Sequence, residues 1–168
     1  MTADYKDRLV KKTIKTFKFK FVADLSDPAS FLLKKYVKQL QKKNKLNIFA
    51  DNPILIPVPI HKRRENWRGF NQSELLAQSL ADNFQMEYSS EILMRIKNTV
   101  PQTDIKEKAE RMENIISAFS CVESVKISGR SALLVDDVCT TGATLNECAK
   151  ILKNNGARNV AALVLARG

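Results

Sequence analysis

Runs of apolar residues and their periods divide the chain into recognisable elements. Ile54-Leu55-Ile56-Pro57-Val58 is a short continuous apolar run rich in β-branched residues. It predicts a strand buried on both faces and ended by Pro57 and Pro59. Ser131–Val135 is a second such run, and residues 159–165 form a third. Ile92–Ile96 reads as a further strand. Helical spacing appears between them. Phe31, Leu32, Tyr36, Val37 and Leu40 recur on one side of a helix that Asp27-Pro28 starts. Leu75, Leu76, Leu80 and Phe84 follow Asn71, with Glu74 placed to close a capping box. Residues 107–116 and 144–154 complete the helical set, with Gly156 at the C′ position of the latter. Towards the N-terminus, Leu9, Val10 and Ile14 predict a short helix over residues 4–16. The alternation Phe17-Lys18-Phe19-Lys20-Phe21 predicts an extended segment. Residues 42–47, 61–69 and 98–104 read as polar or basic loops.

Strand and helix alternate, and the strands are apolar throughout. This predicts an α/β fold with a mostly parallel, twisted sheet flanked by helices. The chain of 168 residues suits one domain. Its expected division is a helical extension or hood over residues 1–50 and an α/β core over 51–168. No internal repeat or linker breaks it.

Composition narrows the class. Hydrophobic residues are 44% of the chain, with five glycines and five prolines, so fibrous and low-complexity readings fall away. No apolar run nears the roughly 18 residues of a membrane span. The lysine-bearing first twenty residues lack the apolar stretch of a signal peptide, so a cytoplasmic location is expected. Cys121, Cys139 and Cys148 are odd in number and lack a C-x-x-C spacing, which predicts packed thiols rather than a disulfide frame or a cysteine-rich zinc site. His61 is the only histidine, and its expected role is structural, as a hydrogen-bonded residue after Pro59. The net charge of +10 favours anionic partners, such as phosphates, nucleotides or nucleic acid. Lys11, Lys12, Lys34, Lys35, Lys42 and Lys43 contribute either a solvated face or a binding surface.

The segment with chemistry is Ala132-Leu133-Leu134-Val135-Asp136-Asp137-Val138-Cys139-Thr140-Thr141-Gly142-Ala143-Thr144. A hydrophobic strand delivers two adjacent carboxylates to its C-terminal end. A hydroxyl-rich turn follows, and then a helix begins. Backbone N–H groups at a helix start favour a phosphate. Thr140, Thr141 and Thr144 add hydroxyl donors, and Gly142 allows close approach of the backbone. Two acids beside a phosphate loop fit a ligand that also carries sugar hydroxyls or a divalent cation. Receivers and Walker B segments also end an apolar strand in acids. A receiver places its acids near the N-terminus, and a Walker B requires a P-loop that this chain lacks, as it lacks a G-x-G-x-x-G.

This segment resembles the signature of type I phosphoribosyltransferases. The resemblance implies that Val138, Cys139, Thr140, Thr141, Gly142, Ala143 and Thr144 cradle the 5′-phosphate of phosphoribosyl pyrophosphate (PRPP). It implies that Asp136 and Asp137 hold the ribose hydroxyls as the catalytic pair, with Mg²⁺ nearby, bound largely through the ligand or water. Cys139 departs from the aliphatic residue usual there. Two further segments resemble the ComF family: Ile56-Pro57-Val58-Pro59-Ile60-His61 with Arg64 and Arg68-Gly69-Phe70-Asn71-Gln72, and Arg95-Ile96-Lys97-Asn98-Thr99-Val100-Pro101-Gln102 with Arg111, Asn114 and Ala118-Phe119. Lys97 stands where arginine is usual.

The ComF resemblance implies a link to DNA uptake in natural competence, with single-stranded DNA and uptake proteins as partners. The four-cysteine zinc finger typical of that family is not in this sequence, which is expected to be a naturally short member or a shortened piece. Phosphoribosyl transfer builds negative charge on the leaving pyrophosphate, and nearby cations stabilise it. Arg63, Arg64 and Arg68 after the first core strand are candidates for that role. So are Arg95, Lys97 and Arg111, which flank a loop able to close as a lid. Trp67 is a residue for packing or for stacking on a base. Two functions, which can coexist, are therefore expected: Mg²⁺-dependent transfer of a phosphoribosyl group to an unidentified acceptor that the hood would bind, or, as the alternative, a non-catalytic single-stranded DNA adaptor.

Overall fold

The computed structural model describes residues 3–4, 8, 12, 26–42, 51–99 and 115–168. Its principal sheet has four strands in the order β1-β6-β5-β2, all parallel: β1 is Ala3–Asp4, β2 is Ile54–Pro57, β5 is Ser131–Cys139 and β6 is Asn159–Arg167. A second sheet pairs β3 (Leu93–Arg95) with β4 (Phe119–Cys121), antiparallel. The helices whose bounds fall among the described residues are α1 (Ser26–Lys42), α2 (Lys62–Arg68), α3 (Gln72–Phe84), α4 (Ser124–Ile127) and α5 (Ala143–Asn154).

Helices cover both faces of the parallel sheet, so its strands carry apolar residues at successive positions. Ala132 and Leu134 of β5 join Ile54, Ile56, Leu145, Cys148 and Leu152 in one buried cluster. Leu133 and Val135 turn to the other face and join Leu33, Val37, Leu76 and Leu80. Each leucine, isoleucine or valine among them contributes roughly 1.5–3 kcal/mol by leaving water. Helix α1, which lies in the segment expected as a hood, buries Ala29, Leu33 and Val37 there and packs against α3 and β6. The three cysteines are free thiols, with Cys148 fully buried.

Several expectations change. Residues 61–69 are not a loop, because Lys62–Arg68 is helical. His61 caps it, its Nδ1 accepting from the Arg63 N–H at 3.2 Å, and Gly69 closes it at φ 84°. The Ile92–Ile96 strand shrinks to β3 and leaves the parallel sheet for a ribbon with β4, a strand whose three residues carried no periodic signal. Asp4, expected at the start of a helix, instead joins Ala3 in an edge strand whose register is Ala3 to Ala166. Residues 8 and 12 are helical. Strand β5 continues to Cys139 and takes Asp136 and Asp137 into the sheet, because parallel pairing with β6 runs on to Arg167. Residues 115–117 form a turn rather than a helix end. The remainder of the 107–116 helix, the 17–21 segment and most of the 98–104 loop lie outside the described residues.

Candidate functional site

The site forms at the C-terminal ends of β2 and β5, where an open parallel sheet offers its crevice. Strand alternation sets Asp136 in phase with Leu134 and Asp137 in phase with Val135. Asp136 Oδ1 accepts two hydrogen bonds, from the Ser73 hydroxyl at 2.8 Å and from the Asp137 backbone N–H at 2.9 Å. Asp137 is 3% exposed.

Ser73 is held by the start of α3. Asn71 Oδ1 accepts from the Ser73 N–H at 3.1 Å, and Asn71 Nδ2 donates to the Val58 carbonyl at 3.2 Å. Asn71 thus caps α3 as its sequence predicts, and it ties that cap to the end of β2. Glu74 does not close the capping box: its Oε1 accepts from the Tyr88 hydroxyl at 2.8 Å. That contact fixes the returning chain, where Tyr88 bridges Leu55 alongside β2.

Beyond β5, Thr140 is exposed and Gly142 occupies the left-handed region at φ 80°. A Cβ on Gly142 would lie 3.7 Å from Asn146 Nδ2 and 4.0 Å from Cys139 Sγ, so conformation rather than space demands glycine. Thr141 Oγ1 accepts from the Ala143 N–H at 3.3 Å, which shapes the turn into α5. No acidic residue occupies the first turn of α5, and Thr144 lies within it, half-buried. Val138 and Cys139 are half-buried, and burial pushes the Cys139 thiol above its ordinary value. The turn therefore combines backbone and hydroxyl donors with a helix whose first turn carries no acid.

Two of the predicted cations feel the acids, Arg68 through Asp137 and Arg95 through Asp136, and Arg64 acts on both arginines. Arg68 donates to Gln72 Oε1. Burial lowers its pKa, Arg64 lowers it further, and Asp137 opposes the shift. Arg64 donates to the Thr99 carbonyl. Arg95 is 8% exposed, donates to the Thr99 hydroxyl and the Lys97 carbonyl, and lies 5.2 Å from the centre of the Phe119 ring. Its pKa is pushed down to about 10, first by burial and then by Arg64, while Cys148 and Asp136 pull it up. Guanidinium groups held this way suit a polyanion, because their planar forks match phosphate oxygens. Arg63 and Lys97 are exposed, and the Lys97 ammonium reaches the Ile116 carbonyl at 3.2 Å. Arg111 lies outside the described residues.

Among the described residues no group of three or more His, Cys, Asp or Glu side chains is placed to hold a metal ion. A two-carboxylate pair fits Mg²⁺ of the kind that keeps several waters and takes its other oxygens from substrate phosphates. Ser73, Gln72, Thr99 and Phe119 were missed as site residues. Gln72, Thr99 and Phe119 lie in the segments that resemble the ComF family, and the Asn71 cap places Gln72 and Ser73 in the first turn of α3.

The phosphoribosyl transferase domain family matches residues 71–168. The chain is 34% identical over 155 residues to competence protein F of Haemophilus influenzae, covering 92% of this chain and 66% of that protein. It is 38% identical over 113 residues to the DNA utilization protein YhgH of Escherichia coli O157:H7, covering 67% of this chain and 48% of that one. The chain thus spans about half to two thirds of the length of these relatives. Among solved structures, glutamine PRPP amidotransferase from B. subtilis aligns with 67% of this chain and 22% of its own at 21% identity, with a TM-score of 0.45.

Proposed function

This chain belongs to the phosphoribosyl transferase domain family and is ComF-like, and from that premise we propose that it binds PRPP with Mg²⁺ at residues 136–144. The observation that carries the reading is the passage from β5 through Asp136 and Asp137 into the Thr140-Thr141-Gly142 turn and α5. Val138 to Thr144 take the 5′-phosphate. Asp136 and Asp137 take the ribose hydroxyls, and the same carboxylates hold the cation through ligand oxygens or water. The cation supplies Lewis-acid stabilisation of pyrophosphate when bound. Arg64, Arg68 and Arg95 neutralise the growing charge of the leaving group. In the transfer, the bond from ribose C1 to pyrophosphate breaks and its electron pair leaves with pyrophosphate. A bond from C1 to the acceptor nucleophile forms, and the acceptor's proton is released. The chain acts as one unit in the cytoplasm, with residues 1–50 supplying β1 to the same sheet and α1 to its core.

Calorimetric titration with PRPP, with and without Mg²⁺, tests the reading. Saturable binding that requires Mg²⁺ is expected, and Asp137→Asn should abolish it. Absence of binding at millimolar PRPP would refute it.

A second reading has its own support. The net charge of +10, with the words "competence" and "DNA utilization" in the names of the relatives, favours a protein that also engages single-stranded DNA during uptake.

A further inference from the structure

Helix α2 has two unlike sides. Arg64, Glu65 and Arg68 are half-buried, and Arg64 and Arg68 are the arginines that approach Thr99 and the carboxylate pair. Lys62, Arg63, Asn66 and Trp67 fall on the other side, at spacings of one, four and five, and all four are exposed. Trp67 is 62% exposed and is the only tryptophan of the chain. Packing, one of the two readings open from sequence, covers less than half of the residue. The exposed tryptophan shares its side of the helix with an exposed lysine, arginine and asparagine. That side combines the two features that bind single strands without reading sequence: an aromatic face for a base and cations for the flanking phosphates. Glu65 is the only acid of the helix, and it lies on the side away from this surface.

We propose that the outer side of α2 is a contact surface for single-stranded DNA, with a base stacked on Trp67 and phosphates on Lys62 and Arg63. The proposal rests on the single-stranded DNA reading above and places that contact on the helix whose inner side serves the PRPP site. The two ligands then occupy opposite sides of one helix and do not compete.

Trp67 reports on the surface directly, because all tryptophan fluorescence of the protein comes from it. The full chain is titrated with a short oligodeoxythymidylate at low salt, reading tryptophan emission and the anisotropy of an end-labelled strand together. Expected is a quench that saturates with the anisotropy change and is unaffected by saturating PRPP with Mg²⁺. Trp67→Ala, read by anisotropy alone, should weaken binding about five- to hundredfold. Trp67→Phe should restore most of the affinity, and both variants should bind PRPP as the parent does. Lys62→Ala should lower the slope of log affinity against log salt by about 0.7, one phosphate contact's worth on a single strand. Strand binding with unchanged emission and full affinity in Trp67→Ala would overturn the placement on α2 and leave the DNA reading standing. No strand binding at low salt would overturn both. Displacement of the strand by PRPP would overturn the separation of the two sides, and much tighter binding of the matching oligouridylate would overturn the choice of DNA.

Discussion

The hydroxyl of Ser73 donates to Oδ1 of Asp136 at 2.8 Å, joining the first turn of α3 to the end of β5. With the Asp137 N–H on the same oxygen, two donors fix the Asp136 carboxylate. The acid proposed to meet the ligand is thereby oriented in advance, which is how a binding group avoids an ordering cost on association.

Ser73→Ala should therefore weaken PRPP more than it weakens the fold. Removal of one hydrogen bond to a charged group corresponds to about 1.5–3 kcal/mol where the group stays buried, and less where water can enter. Asp136 is only half-buried, so a three- to tenfold loss of PRPP affinity is expected by calorimetry, with the melting temperature within a few degrees of the parent. Unchanged affinity would mean that Asp136 does not touch the ligand.

Asp137→Asn tests the other acid. Asp137 raises the pKa of Arg68 against the effect of burial. The amide removes that support as well as a carboxylate oxygen. Mg²⁺-dependent PRPP binding should fall below detection, while the far-ultraviolet circular dichroism stays that of the parent. Retained binding with the parent's Mg²⁺ dependence would move the site elsewhere.

How far the sequence foretold these relations depends on whether they are local. The β5 segment was legible because its signal is contiguous: apolar strand, acid pair, hydroxyl turn, helix. Asn71 and Gly156 were legible for the same reason, since caps are fixed within a few residues, whereas Gly142 was read for close backbone approach and its left-handed φ was not. At Gly156 a Cβ would meet Ser128 Oγ at 3.1 Å, so its demand is steric as well as conformational. The helix 62–68 was not legible, because a run of arginines with one tryptophan has no apolar period, and its definition comes from the two caps. Nor was the ribbon of β3 and β4, whose partners are separated by residues 96–118. The convergence of Arg64 and Arg95 on Thr99 joins separate elements, and no spacing announces it.

Gly142→Ala should show conformational strain without a clash. At φ 80° an L-residue costs about 1–2 kcal/mol. For a domain of this size that lowers the melting temperature by roughly 2–8 °C. Gly142→Asn, a residue that tolerates the left-handed region, should recover part of the loss. A fully stable alanine variant would show that the turn adopts another conformation in solution.

Tyr88 provides the alkaline signature of the fold. Its pKa is pushed up to about 12, first by burial and also by its hydrogen bond to Glu74. Between the ordinary phenol value and that point the folded chain keeps a proton that the unfolded chain has lost. Stability is therefore full below about pH 10 and falls as pH rises towards 12. Phenolate absorbance should show a late-titrating tyrosine that disappears in Tyr88→Phe, and urea melts of that variant should lose less stability above pH 10. A late step that survives the substitution would overturn the assignment to Tyr88.

Arg95 separates stability from function. Burial opposes its charge and so does Arg64, while Asp136 supports it and the Phe119 ring stacks beneath it. A cation held where desolvation disfavours it is retained for a ligand more readily than for the fold. Arg95→Met keeps most of the volume and the contact with Phe119 while removing the charge, so it should leave the urea midpoint unchanged or raise it. The same variant should bind PRPP at least tenfold more weakly, with the loss concentrated in pyrophosphate, which titrated alone should show the same ratio. Arg95→Lys is the sharper control. It keeps a cation but gives up the fork that reaches the Lys97 carbonyl and the Thr99 hydroxyl together. It should be less stable than Arg95→Met and should recover only part of the pyrophosphate affinity. If Arg95→Met unfolds the protein while Arg95→Lys binds PRPP normally, the guanidinium is a structural tie between β3 and the Thr99 segment. Its place among the pyrophosphate ligands would then be lost.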